Sequence, residues 1–202
     1  MAHIVDQING LVRKIPTWPV YILCVLPLPW LLYLAQTGGL GIEPIKALEH
    51  ELGEIALQLL IAGLTITPLR RYAGLNLLKF RRCLGLMAFL YVSLHLLVWL
   101  VLDIGILSQI WADIIKRPYI TIGMAGFLCL VPLAVTSNTY SIRKLGPKWR
   151  TLHKLTYLAV ILGGVHFIWL VKGFQLEPLL YMAVILGLLA LRLPKRRKRQ
   201  PI

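Results

Sequence analysis

The chain has 202 residues, 58% of them hydrophobic and 15% charged, with a mean hydropathy of +0.74. That balance excludes an ordinary soluble domain, because the apolar residues gather in runs close to the roughly 20 residues that a bilayer span requires. The formal charge of +14 does not indicate nucleic acid, since the basic residues flank the apolar runs instead of lining a soluble face.

The first apolar run, 18–36, follows Arg13 and Lys14 as a signal peptide would. No small-residue cleavage site comes after "LLYLAQTGGL", so the run is expected to remain as the first span. Pro19, Pro27 and Pro29 predict a kink in it. Further spans are expected at 54–69, 83–102, 119–137, 152–171 and 177–191, of which the second and sixth are short and can begin inside the interface. The runs are continuous and do not alternate, so they read as helices and not as barrel strands. Cys24, Cys83 and Cys129 fall in different runs without a Cys-x-x-Cys pair, which implies packing roles. Most of the six tryptophans fall where interfacial aromatic belts are expected.

With the N-terminus cytoplasmic, eighteen lysines and arginines lie inside and four (Lys46, Lys116, Arg117 and Lys172) lie outside. The positive-inside rule therefore predicts that both termini are cytoplasmic. The cluster "KRRKR" (195–199), directly after an apolar run, reads as an anchor on anionic lipid. The expected architecture is an all-α membrane protein, a six-transmembrane-helix bundle over 18–191. A cytoplasmic N-terminal segment (1–17) and a basic cytoplasmic tail (192–202) flank it.

Only five histidines occur in the chain, and two lie within 152–171. In the predicted topology the third and fifth helices are parallel. His95 lies about 18 Å along the third helix from Cys83, and His166 about 21 Å along the fifth from Leu152, at 1.5 Å per residue. Two imidazoles at one depth on facing helices suit the axial ligands of a haem. His153 lies about 20 Å below His166 and roughly 140° around an ideal helix from it, unless Gly163–Gly164 distorts the helix. It therefore needs a partner of its own, and Arg81 and Arg82 stand at its level. Hydrogen bonding between membrane helices is the other use of such histidines. His50, beside Glu49 and Glu51, reads as interfacial, and His3 belongs to the terminus.

Several segments resemble one family in the same order: "GGLGIEPIKALEH" (38–50), "TPLRR" (67–71), "RRCLGL" (81–86), "LHLLVW" (94–99), "RPYITIG" (117–123), "LAVTSN" (133–138) and "LGPKWRTLHKLTYL" (145–158). They are similar to the MsrQ family, the haem-binding membrane subunits of bacterial periplasmic methionine sulfoxide reductase systems. That family is itself related to the transmembrane part of ferric reductases and NADPH oxidases. The likeness covers about 38–172.

The resemblance implies a ferric reductase-like bundle in the bacterial inner membrane, acting as an electron-transfer subunit and not as the catalytic one. It implies b-type haem, one or two, with His95, His153 and His166 as ligands, together with FMN, for which the chain shows no signature. The implied partner is a periplasmic molybdopterin-containing methionine sulfoxide reductase. The wider superfamily has two histidines on each of the third and fifth helices, whereas here the third has one and Arg82 stands at the level of the other. The 11 residues after the last span cannot hold a flavin- and nicotinamide-binding domain, so the implied donor is the quinone pool or a cytosolic flavin reductase. The competing readings are a stand-alone quinol-linked ferric reductase and a non-redox membrane protein with structural histidines.

Overall fold

Helices account for all regular structure among the described residues, 2–171 and 173–193, of the computed structural model. Lys172 and the basic cluster 195–199, both counted in the charge asymmetry, lie outside the described residues.

After the amphipathic helix α1 (Ala2–Lys14), the first span is divided into α2 (Trp18–Val25) and α3 (Pro27–Thr37), so the expected kink falls at Leu26. Pro27 and Pro29 lack the N–H groups that would continue the ladder. Gly38, at φ +79°, ends α3 in the left-handed conformation that glycine takes without steric cost.

The next helix, α4 (Pro44–Tyr72), departs furthest from expectation, beginning ten residues before the predicted 54–69 span. Glu43, Lys46, Glu49 and Glu51 mask it in hydropathy. The periodicity does not: Leu48, Leu52, Ala56, Leu60 and Leu64 recur every fourth residue and are all buried. Pro44 suits the first turn, where its missing N–H has no partner to lose. The 29 residues reach about 43 Å, more than the roughly 30 Å hydrocarbon core, so the first turns extend past it.

The third span comprises α5 (Arg81–Leu97) and a π-helical continuation, Val98–Ile104. A short helix follows where a loop is expected, α6 (Leu107–Lys116); its apolar residues recur at three- and four-residue intervals, but it is too short for a span. Then come α7 (Pro118–Val135), α8 (Thr139–Leu145), α9 (Pro147–Leu152), α10 (Leu155–Leu170) and α11 (Leu176–Ala190). The expected single helix over 152–171 is in fact interrupted at His153–Lys154, and α10 runs unbroken through Gly163 and Gly164.

Among the described residues, five helical stretches are long and apolar enough to cross a membrane: Trp18–Thr37, Pro44–Tyr72, Leu78–Ile104, Pro118–Val135 and Pro147–Leu170. The sixth expected span corresponds to α11, which is apolar but only 15 residues, about 22 Å long.

One core joins α4, α5, α7, α10 and α11 through Leu57, Leu64, Ala88, Leu130, Val160 and Ile185. A second joins α3, α4 and α5 through Leu31, Leu52, Met87 and Tyr91. Tyr91 is 0% exposed and donates its hydroxyl to the Cys24 carbonyl at 2.7 Å, tying the kinked first span to α5. Leu23, Leu128, Leu158 and Leu186 remain exposed, as on a lipid-facing perimeter.

One end of the bundle gathers several termini. Asn9 bonds the Gly74 carbonyl and the Asn76 N–H, and Lys79 donates to the Val12, Arg13 and Ile15 carbonyls at the end of α1. Arg71 donates to the carbonyls of Leu191 and Leu193, just past α11.

Candidate functional site

His95 lies in the last turn of α5, immediately before the π-helix, and His166 lies near the end of α10. Their ring centroids are 6.2 Å apart, with planes at 83°. The two C-terminal ends therefore meet, and α5 and α10 are parallel, as the depth match predicts. Each imidazole reaches one further helix. His95 Nδ1 is 2.8 Å from the Glu49 carbonyl of α4, and His166 Nδ1 is 2.7 Å from the Tyr119 carbonyl of α7. Because these contacts join the end of one helix to the start of the other, the pairs α4–α5 and α7–α10 are antiparallel.

A carbonyl oxygen can only accept, so each Nδ1 carries the proton and Nε2 holds the lone pair. Metal-binding histidines have this arrangement, with one nitrogen oriented by a carbonyl and the other available to the ion. With a metal–imidazole bond of about 2 Å on each side, two rings on one ion have centroids roughly 6 Å apart, and the observed separation matches. Among the described residues no group of three or more His, Cys, Asp or Glu side chains is placed to hold a metal. For an iron held by these two imidazoles, the remaining donors would come from a macrocycle such as haem. The residues present thus fit a bis-histidine haem.

His153 stands apart. It occupies the α9–α10 break, stacked on Trp149 with centroids 3.8 Å apart. Its Nε2 is 3.1 Å from Thr136 Oγ1, at the end of α7. The Thr136 hydroxyl donates to the Pro132 carbonyl at 2.6 Å, so its single proton is committed and His153 Nε2–H must be the donor. The Trp149 indole donates to the Thr136 carbonyl at 2.9 Å and closes the corner. His50 is exposed on α4, and His3 is exposed on α1.

Sequence reading missed a polar cluster between α4 and α11. Tyr181 donates to Glu54 Oε1 at 2.8 Å, and the Gln58 amide reaches both Glu54 and the Tyr181 hydroxyl at 2.8 Å. The four-residue spacing of Glu54 and Gln58 within an apolar stretch was the available signal. Phe167, next to His166, packs edge-on against Tyr181 at 5.6 Å. The carbonyls of Glu49 and Tyr119 had no signal, since every residue carries one.

Residues 52–164 match the family described as "Ferric reductase like transmembrane component". Three similar proteins carry the name "Protein-methionine-sulfoxide reductase heme-binding subunit MsrQ". The one from Agrobacterium fabrum is 52% identical over 177 residues, 87% of this chain and 82% of its own length. That from Brucella anthropi is 46% identical over 188 residues, 92% and 86% of the two chains. That from Brucella ovis is 48% identical over 187 residues, 91% and 85%. No solved structure matches the chain. With about half its residues shared over most of its length, the chain belongs to the MsrQ family of ferric reductase-like transmembrane proteins.

Proposed function

We propose that this protein is the haem-binding electron-transfer subunit of a protein-methionine-sulfoxide reductase system, with His95 and His166 as the axial ligands of a b-type haem. The observation that carries the proposal is the imidazole pair itself, 6.2 Å between centroids with both Nδ1 atoms held by helix carbonyls. When bound there, a b-type haem supplies one-electron chemistry at its iron. Reducing a methionine sulfoxide to the thioether and water takes two electrons and two protons. The chain's own part is to hold the two rings, fix their tautomers and keep the site inside an apolar bundle. The partner in this reading is a periplasmic molybdopterin-containing catalytic subunit, and the setting is the bacterial inner membrane.

The distribution of basic residues supports a cytoplasmic position for the bundle end that carries Arg71, Lys79 and Arg192. Electrons would arrive at that end from quinol or a cytosolic flavin reductase. We place His153 there, as a hydrogen-bonding group at the donor side or at an FMN. With Nε2–H directed to Thr136, ligation of a second haem through Nε2 requires that bond to break. Names of relatives and the fitted histidine pair together favour this reading over a stand-alone ferric reductase or a non-redox protein.

The test is a reduced-minus-oxidised spectrum, with haem and FMN counted per chain, on full-length protein purified in mild detergent. His95→Ala and His166→Ala should each abolish the low-spin bis-histidine signal. An unchanged spectrum in His95→Ala would refute the ligand assignment.

A further inference from the structure

The two imidazoles reach their carbonyls through the same backbone device, used twice. In an α-helix the carbonyl of residue i accepts the N–H of residue i+4. For Glu49 that residue is Gly53, and for Tyr119 it is Gly123. A carbonyl oxygen has two lone pairs, so it can take the imidazole N–H as well, provided that the ring can approach the helix surface beside residue i+4. At both positions the approach passes through the space a Cβ would fill. A methyl on Gly53 would stand 3.1 Å from His95 Nδ1 and 3.2 Å from its Cε1. One on Gly123 would stand 2.8 Å from His166 Nδ1 and 3.0 Å from its Cε1. The obstacle in each case is a rigid ring held between helices, not the end of a flexible chain. The two assemblies also share a frame: carbonyl and histidine are 46 residues apart in one and 47 in the other, each across an antiparallel helix pair.

We propose that Gly53 and Gly123 are positioning residues for the axial imidazoles. By omitting Cβ they let His95 and His166 lie against α4 and α7, where a helix carbonyl holds Nδ1–H and orients Nε2. The proposal rests on the ligand assignment above and goes beyond it by naming what fixes the ligands. Donation from Nδ1–H makes Nε2 the stronger base and favours ferric iron. A displaced ring weakens that bond, so the midpoint potential rises and the ferric low-spin signature changes.

The experiment compares four variants of the full-length haem-loaded protein. Gly53→Ala and Gly123→Ala place methyls against the rings. Gly63→Ala and Gly85→Ala, on the same α4 and on α5, meet nothing within 4 Å and serve as controls. The readouts are haem per chain, the low-spin electron paramagnetic resonance signal and the midpoint potential, with thermal unfolding of each protein alongside. Alanine is the better helix former, so a glycine that served only the helix would give unchanged haem properties and equal or greater stability.

We expect the controls to match the parent protein. Gly123→Ala should show the larger upward shift in potential, an altered resonance and partial haem loss, with Gly53→Ala intermediate, following the two approach distances. If Gly123→Ala does not accumulate, Gly53→Ala carries the test through the same readouts. Equal spectra and potentials in Gly53→Ala and Gly63→Ala would overturn the proposal while leaving the ligand assignment intact. An unchanged spectrum in His95→Ala would instead remove the ligand assignment and this proposal with it.

Discussion

Replacing Thr136 by valine keeps the branching at Cβ and the volume while deleting one oxygen. That oxygen serves two bonds, to the Pro132 carbonyl at 2.6 Å and to His153 Nε2 at 3.1 Å. Losing the first costs little, because the Pro132 carbonyl still accepts the Thr136 N–H at 3.0 Å. Losing the second leaves a partly buried imidazole N–H without its partner at a helix break. A hydrogen bond contributes about 0.5–1.5 kcal/mol net, and bonds between membrane helices average about 0.6. The expected destabilisation is therefore about 1 kcal/mol, an apparent melting midpoint lowered by roughly 2–4 °C for a chain of this size. The assay is thermal unfolding of full-length protein in detergent for Thr136→Val, His153→Ala and the double variant. If the two side chains act on each other as drawn, the double variant costs less than the sum of the singles by about 0.5–1 kcal/mol. Additivity within about 0.3 kcal/mol would refute the corner described for His153.

His153→Ala should retain the haem proposed at His95 and His166 but slow its reduction by the natural donor, as rapid-mixing absorbance would register; unaltered cofactor content together with an unaltered rate would deny His153 a donor-side role. Tyr91→Phe removes the hydroxyl that reaches the Cys24 carbonyl and should cost about 1 kcal/mol in the same unfolding assay, without changing the haem spectrum. A reporter active only in the periplasm, fused at the C-terminus, should stay silent, and a strong signal would mean an odd number of spans.

The class of the fold was readable in the sequence because it depends on local quantities. Hydropathic runs marked the spans, Pro27 and Pro29 placed the kink before α3, and a constant rise per residue put His95 and His166 at one depth. The family resemblance implied these two histidines and His153. Other features depend on how the helices are rotated and set against each other. The early start of α4 was hidden under Glu43, Lys46, Glu49 and Glu51, because charge lowers mean hydropathy even where every fourth residue is buried. The separation of His153 from the His95–His166 pair came from depth along the helix, but its partner Thr136 came only from the break that brings α9 under the end of α7. The Glu49 and Tyr119 carbonyls, and the glycines four residues beyond them, carry no chemistry of their own in a sequence. They matter here because packing of α4 on α5 and of α7 on α10 sets an imidazole against bare backbone, and only tertiary structure decides which backbone that is.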